Sequence, residues 1–270
     1  MAEEPGSCHV KTRLGGQRNQ LNKEPIRRAG AGSPTAGHFS DKPESESETG
    51  SADPGLQDDL LARLPPTTGD AWRKITPLLP PSAYLAGGTA LTVHLLHRVS
   101  RDLDIFLEDH EDLQSLWRRI EEAGDALASQ QDELTIICVF DSTRVQVLDA
   151  STQAMVAPTT TVGGMRVASV EDIMAMKLKV IIDRGELRDY FDIMSIETKC
   201  SLFAETGLAL SIQRYAPSQP DQYVNSIVKS LGYFGDVADD PELPATRSEI
   251  EEYWMRRQRP LMKHIAMFGG

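Results

Sequence analysis

The sequence predicts an α/β fold: a mixed sheet flanked by helices, followed by a helical C-terminal part. Three observations point there. Residues 83 to 107 read as strand, Gly-Gly turn, helix and strand. Residues 134 to 149 hold two strand-like runs around a hairpin signal. From residue 169 onward only helical patterns remain, punctuated by proline.

A chain of 270 residues holds one large or two small domains, and 40% hydrophobic residues suffice for a real core. The formal net charge is −12, and residues 1 to 56 are close to neutral, so the negative charge resides in the body. Nucleic-acid binders are usually basic overall, so any RNA contact is expected at a local patch. An acidic body also suits a basic partner protein. Cys8, Cys138 and Cys200 show neither metal nor disulfide spacing and read as reduced thiols of a cytosolic protein, with Cys138 in the core. No apolar run reaches the ~18 residues of a membrane span, and no signal-peptide core is present.

Residues 1 to 55 are rich in Gly, Pro, Ser and Glu and are expected to be a disordered tail. Leu56 to Leu64 and Asp70 to Leu79 read as short helices separated by Pro65-Pro66 and stopped by Pro80-Pro81. Tyr84 to Ala86 is a strand, Gly87-Gly88 breaks it, and Thr89 to His97 has the spacing of one helix face. Asp102 to Leu107 alternates, which puts Asp102 and Asp104 on one strand face. Asp112 to Leu127 reads as an amphipathic helix with Trp117 packed inward. Leu134 to Phe140 and Arg144 to Asp149 form the hairpin, and Gly163-Gly164 marks a turn before Met165-Arg166-Val167. Ser169 caps a helix over Ile173 to Asp183, Gly185 breaks it, and a second helix follows. There Arg188 is spaced to pair with Asp192. Leu202 to Tyr215, Asp221 to Leu231 and Ser248 to Phe268 read as helices, with Tyr253 and Trp254 packing. Lys229, Arg256, Arg257, Arg259 and Lys263 read as a solvated helix face, with an RNA-binding surface as the alternative.

The chemistry concentrates at residues 83 to 107. Two carboxylates side by side repel unless a cation lies between them. Mg²⁺ suits such a site, since it takes one or two carboxylates plus substrate phosphates. Glycines let backbone approach a phosphate, and free amides at a helix N-terminus favour an anion. These residues together point to phosphoryl or nucleotidyl transfer. Lys177 lies in the apolar stripe of its helix and requires either an anionic partner, a nucleotide phosphate being the functional candidate, or a stem laid along the core.

Gly87-Gly88-Thr89, a helix, then Asp102-Leu103-Asp104 resembles the signature of the polymerase-β-like nucleotidyltransferase superfamily. The fuller run, Gly87-Gly88-Thr89-Ala90-Leu91 through His97-Arg98-Val99-Ser100-Arg101-Asp102-Leu103-Asp104-Ile105-Phe106, resembles the AbiEii/AbiGii toxin family, which includes the MenT toxins. Lys177-Leu178, Arg184, Arg188-Asp189-Tyr190-Phe191-Asp192, Tyr233-Phe234-Gly235-Asp236 and Glu252-Tyr253-Trp254 resemble the same family, so the likeness spans about residues 75 to 265.

The resemblance implies a nucleotidyltransferase core over residues 56 to 168 and a helical C-terminal domain over 169 to 270 that completes the active site. It implies that Gly87, Gly88 and Thr89 hold a nucleoside triphosphate, that Asp102 and Asp104 hold Mg²⁺, that Lys177 contacts the phosphates, and that Asp189 positions or activates the attacking hydroxyl. Asp192 reads either as a further member of this site or as part of an interhelical salt-bridge cluster. It also implies a tRNA 3′ end as acceptor and a separately encoded antitoxin as partner. In the superfamily a third acidic residue often lies on a later strand; here that position reads as Gln146, with Asp149 close by but facing the other side of an ideal strand. A protein or small-molecule acceptor, or a nucleotide-binding module without turnover, are the alternatives.

Overall fold

The computed structural model describes residues 60–268. The expectation of a disordered tail over 1 to 55, Cys8, and residues 56 to 59 of the helix expected over 56 to 64 lie outside them. The first sheet elements are led by α1 (Pro66–Ile75), a short 3₁₀ turn at Thr76–Leu78, β1 (Ala83–Ala86), α2 (Gly87–Leu95) and β2 (Leu103–Leu107). Next come α3 (Leu113–Ala123), β3 (Ala126–Gln131), β4 (Thr135–Phe140), β5 (Thr143–Asp149), β6 (Thr160–Val162) and β7 (Met165–Val167). Five helices finish the chain: α4 (Val170–Asp183), α5 (Leu187–Cys200), α6 (Ala204–Tyr215), α7 (Pro220–Leu231) and α8 (Arg247–Phe268).

The seven strands form one mixed sheet in the order β3-β4-β5-β2-β1-β7-β6. β1 is antiparallel to β2 and parallel to β7, and β2 is parallel to β5. All four residues of β1 are buried, as expected for a strand covered on both faces. β2 alternates: Leu103, Ile105 and Leu107 are fully buried, while Asp104 and Phe106 face the other side. Cys138 and Trp117 are buried in the core.

Three expectations shift, each for a local reason. Pro66 is the first residue of α1, where its missing N–H is one the helix leaves unpaired anyway, so the helix begins before Asp70. The helix expected through Leu127 ends at Ala123, because Gly124 turns extended, and Ala126–Gln131 becomes the edge strand β3. That strand is mostly solvent-facing and carries no apolar alternation, so only its pairing with β4 reveals it. The glycines at 87 and 88 do not separate strand from helix; they are the first turn of α2. Elsewhere the turns match their chemistry: Asp141-Ser142 and Gly163-Gly164 both adopt positive φ, the two-residue hairpin geometry. Ser169 caps α4 by accepting the Asp172 amide at 3.0 Å.

Candidate active site

The β1–α2–β2 unit builds the floor of the site. Gly87 has φ +68° and lies under Asp104: a Cβ there would fall 2.2 Å from Asp104 Oδ2. Glycine is therefore required both by backbone conformation and by space. Ala86, at the N-cap, makes no side-chain cap to α2, so the first-turn amides of Gly87, Gly88 and Thr89 have no such partner. Thr89 turns its side chain away from the cleft; its hydroxyl donates to the Asp102 carbonyl and lies 2.9 Å from Ser100 Oγ, tying α2 to the start of β2. Thr92 does the same further along, bridging the Gly88 and Arg98 carbonyls at 2.9 and 3.0 Å.

Gly87→Ala is expected to lower stability by about 2–3 kcal/mol, from left-handed strain plus the clash with Asp104. Gly164→Ala, also at positive φ but with its nearest neighbour atom at 3.4 Å, should cost only the backbone share of about 1–2 kcal/mol. Equal midpoints in urea for the two variants would refute the close approach at Gly87.

Asp102 and Asp104 open into a cleft of about 170 Å³, also lined by Gly88, Lys177 and Asp189. Asp104 is the more enclosed. Burial pushes its pKa up, against the pull of Lys177, and the neighbouring Asp102 charge adds to the rise. Two convergent carboxylates over a glycine that leaves them room form a donor set suited to a hard divalent cation such as Mg²⁺.

Behind this floor lies a buried charge cluster. Asp192 is fully buried and accepts from His97 Nε2 at 2.7 Å, Arg98 Nε at 2.6 Å, Arg98 Nη2 at 2.9 Å and Lys177 Nζ at 2.7 Å. Burial alone would raise its pKa; Lys177, His97 and Arg98 outweigh that and hold it far below the ordinary carboxylate range. Lys177 Nζ also donates to Asp189 Oδ1 at 2.7 Å. Burial opposes its charge, but Asp189 and Asp192 prevail and its pKa rises. Asp189 spends its second oxygen on the Glu186 amide at 3.1 Å, as part of the capping box that opens α5. His97 is pushed down by burial, with its Nδ1 buried and unpartnered, which makes it a neutral imidazole donating from Nε2.

The sequence-predicted residues Gly87, Gly88, Thr89, Asp102, Asp104, Lys177 and Asp189 thus converge on one cleft or its wall. One pairing differs from expectation. Arg188 pairs with Glu186 rather than with Asp192, because Asp192 points into the core toward His97, Arg98 and Lys177. Lys177 satisfies its need for an anion with two carboxylates of the chain itself. Register answers the question of the third acidic position: β5 places Gln146 beside Asp104, and Asp149 beside Leu107 at the far end, where it bonds His110 and the Ser151 amide. His97 and Arg98 belong to the run that carries the family resemblance, but the sequence assigns them no role; three residues separate them from the Asp-x-Asp pair.

The cleft also gathers cations. Arg98, Arg101, Arg144, Lys177, Arg184 and Arg188 line it against Asp102, Asp104, Asp189, Asp240 and Glu242, a local excess of positive side chains on a chain of net charge −12. The C-terminal basic group differs in kind. Arg257 turns inward onto Glu197 and Glu205 instead of joining a solvated face, and Arg256 lies near Glu252.

The sequence profile of the family described as "Nucleotidyl transferase AbiEii toxin, Type IV TA system" matches residues 72–266. The chain belongs to the AbiEii family. AbiEii membership makes it one of a family of nucleotidyltransferase toxins with an α/β fold. An uncharacterized protein of Aquifex aeolicus is 27% identical over 186 residues, which cover 67% of this chain and 88% of that protein. Among solved structures, the nucleotidyltransferase toxin MenT4 of Mycobacterium tuberculosis aligns at 13% identity and a TM-score of 0.46, covering 80% of this chain and 99% of its own. The Helicobacter pylori protein JHP933 aligns at 17% identity and a TM-score of 0.45, covering 80% and 94%. Among the described residues of this AbiEii chain, no helix is long and apolar enough to cross a membrane.

Proposed function

We propose that this AbiEii chain transfers a nucleoside monophosphate from a nucleoside triphosphate to the 3′ end of tRNA in the cytoplasm. The product tRNA would be blocked from aminoacylation, translation would stop, and a separately encoded antitoxin would restrain the activity. One observation carries the reading: Asp102 and Asp104 open beside the uncapped N-terminal amides of α2 and Lys177, in a cleft that concentrates arginine.

Each part has a task. The amides of Gly87, Gly88 and Thr89 bind the β- and γ-phosphates, as helix N-termini bind anions. An ammonium has three N–H donors; Asp189 and Asp192 take two from Lys177, and the third is left for the phosphates. Asp189 Oδ1 holds Lys177 in place and Oδ2 accepts the Glu186 amide, and each oxygen keeps a lone pair with which Asp189 positions the attacking hydroxyl. Asp102 and Asp104 would hold Mg²⁺, which would supply Lewis-acid polarisation and charge neutralisation at the phosphates. The acceptor hydroxyl oxygen bonds to the α-phosphorus, the α–β bridging P–O bond breaks, pyrophosphate leaves, and the hydroxyl proton passes to water.

The test is incorporation of each α-³²P nucleoside triphosphate into total tRNA with Mg²⁺. Label on tRNA that is lost in the Asp102→Ala, Asp104→Ala double variant is the expected result. Absence of label with all four nucleotides, from folded protein, removes tRNA as the acceptor. The acidic rim residues Asp240 and Glu242 favour a second reading, a protein or small-molecule acceptor, and label on protein or on a soluble product would select it.

A further inference from the structure

Strand β5 runs parallel to β2, and their register sets what stands beside each carboxylate. Asp104 is opposite Gln146 and Leu103 is opposite Val145, so the residue beside Asp102 is Arg144. Its Nη1 lies 3.7 Å from Asp102 Oδ2, too long for a hydrogen bond. Across from the two carboxylates therefore stand an amide and a guanidinium. Among the described residues, no group of three or more His, Cys, Asp or Glu is placed to hold a metal ion.

Charge balance limits what this arrangement holds. Two carboxylates neutralise one divalent cation. Two-metal transfer sites hold their ions about 3.5–4 Å apart, and a second ion here would have to share the same two protein carboxylates, take its remaining ligands from the triphosphate and sit beside a fixed positive charge. Arginine does not lose its proton to make room. The other cations of the cleft are held more closely: Arg98 and Lys177 by Asp192 at 2.6 and 2.7 Å, Arg101 by Glu242 at 2.6 Å, and Arg184 by Glu186 at 3.4 Å. Among the cations lining the cleft, Arg144 has the longest carboxylate contact, and 45% of its side chain is exposed.

We propose that Arg144 takes the place of a second metal ion: the site binds one divalent cation with its nucleotide, and Arg144 swings from Asp102 to the reacting phosphate. The guanidinium fork matches two phosphate oxygens, which a neutral Gln146 cannot do. This rests on the nucleotidyl-transfer reading above.

The experiment counts Mn²⁺ bound to the full chain by electron paramagnetic resonance, at saturating α,β-methylene nucleoside triphosphate. One ion per wild-type chain is expected, and two overturn the proposal. Without nucleotide, Arg144→Gln should bind Mn²⁺ several-fold more tightly, since the competing cation beside Asp102 is gone. With nucleotide it should still hold one ion while kcat falls about a hundredfold. Unchanged Mn²⁺ affinity together with unchanged kcat overturns the role of Arg144. Arg144→Ala combined with Gln146→Asp should admit a second ion; if that variant does not fold, the wild-type count and Arg144→Gln decide. Wild-type protein that binds no Mn²⁺-nucleotide at all fails at the earlier step, and the transfer reading falls with it.

Discussion

Asp192→Ala should destabilise the protein by about 3–5 kcal/mol, the cost of stranding buried charges when one partner of an ion cluster is removed. Four hydrogen bonds end on this carboxylate, from His97, Arg98 and Lys177, and the side chain has no exposed surface. Lys177 would keep Asp189, but Arg98 would keep only its bond to the Val99 carbonyl. Because the Arg98 guanidinium packs against Gly88, the loss should spread to the floor of the cleft. Urea midpoints for the wild type, Asp192→Ala and Asp192→Asn measure it; a loss under about 1 kcal/mol for alanine would refute the cluster's role.

The pH dependence has a definite sign. Asp192 has a folded pKa far below its unfolded value, so its stabilisation is complete above the ordinary carboxylate range and is lost as pH falls below it. His97, whose folded pKa is lowered, adds loss in the same direction as pH falls through its unfolded value near 6.5. The gap between wild type and Asp192→Asn should therefore narrow on acidification below about pH 4.

Asp104→Asn should reduce nucleotidyl transfer by about a thousandfold or more, since the missing charge is worth several kcal/mol of transition-state stabilisation. The same change should leave stability unchanged or raise it. Burial and Asp102 both raise the Asp104 pKa, so its charge is unfavourable in the fold. A raised carboxylate pKa makes the folded state more stable when protonated, and that gain disappears as pH climbs from the unfolded value through the folded one. The neutral asparagine escapes this penalty. Parallel transfer assays and thermal melts check both halves; activity lost together with a melt several degrees lower would make Asp104 structural instead. Added Mg²⁺ should raise the melting temperature of the wild type and not of the variant.

Much of the site was legible because its signals are local. Gly87-Gly88 announces a positive φ and a close approach, and the two-residue alternation of Asp102 and Asp104 announces a shared face. Ser169 and Asp172 announce a helix start, and a lysine within the apolar stripe of α4 announces a buried partner. Where pairing spans long separations, the local signal misleads. Arg188 is spaced for Asp192, yet Glu186 takes it, because the α5 face carrying Asp192 is turned inward to residues more than ninety positions earlier. Edge strand β3 has no pattern of its own and exists because β4 offers it hydrogen-bonding partners.

The amino-acid order alone thus carries the α/β class, the order of most elements and the two carboxylates near the Gly87-Gly88 pair. All of these rest on φ preferences and on periods of two and 3.6 residues, which neighbours in sequence set. Folding in three dimensions assigns Asp192 to His97, Arg98 and Lys177, engages both oxygens of Asp189, and brings Gln146 and Arg144 alongside Asp104 and Asp102. Those outcomes depend on strand register and on which helix face is buried, and both are set by the packing of the whole core.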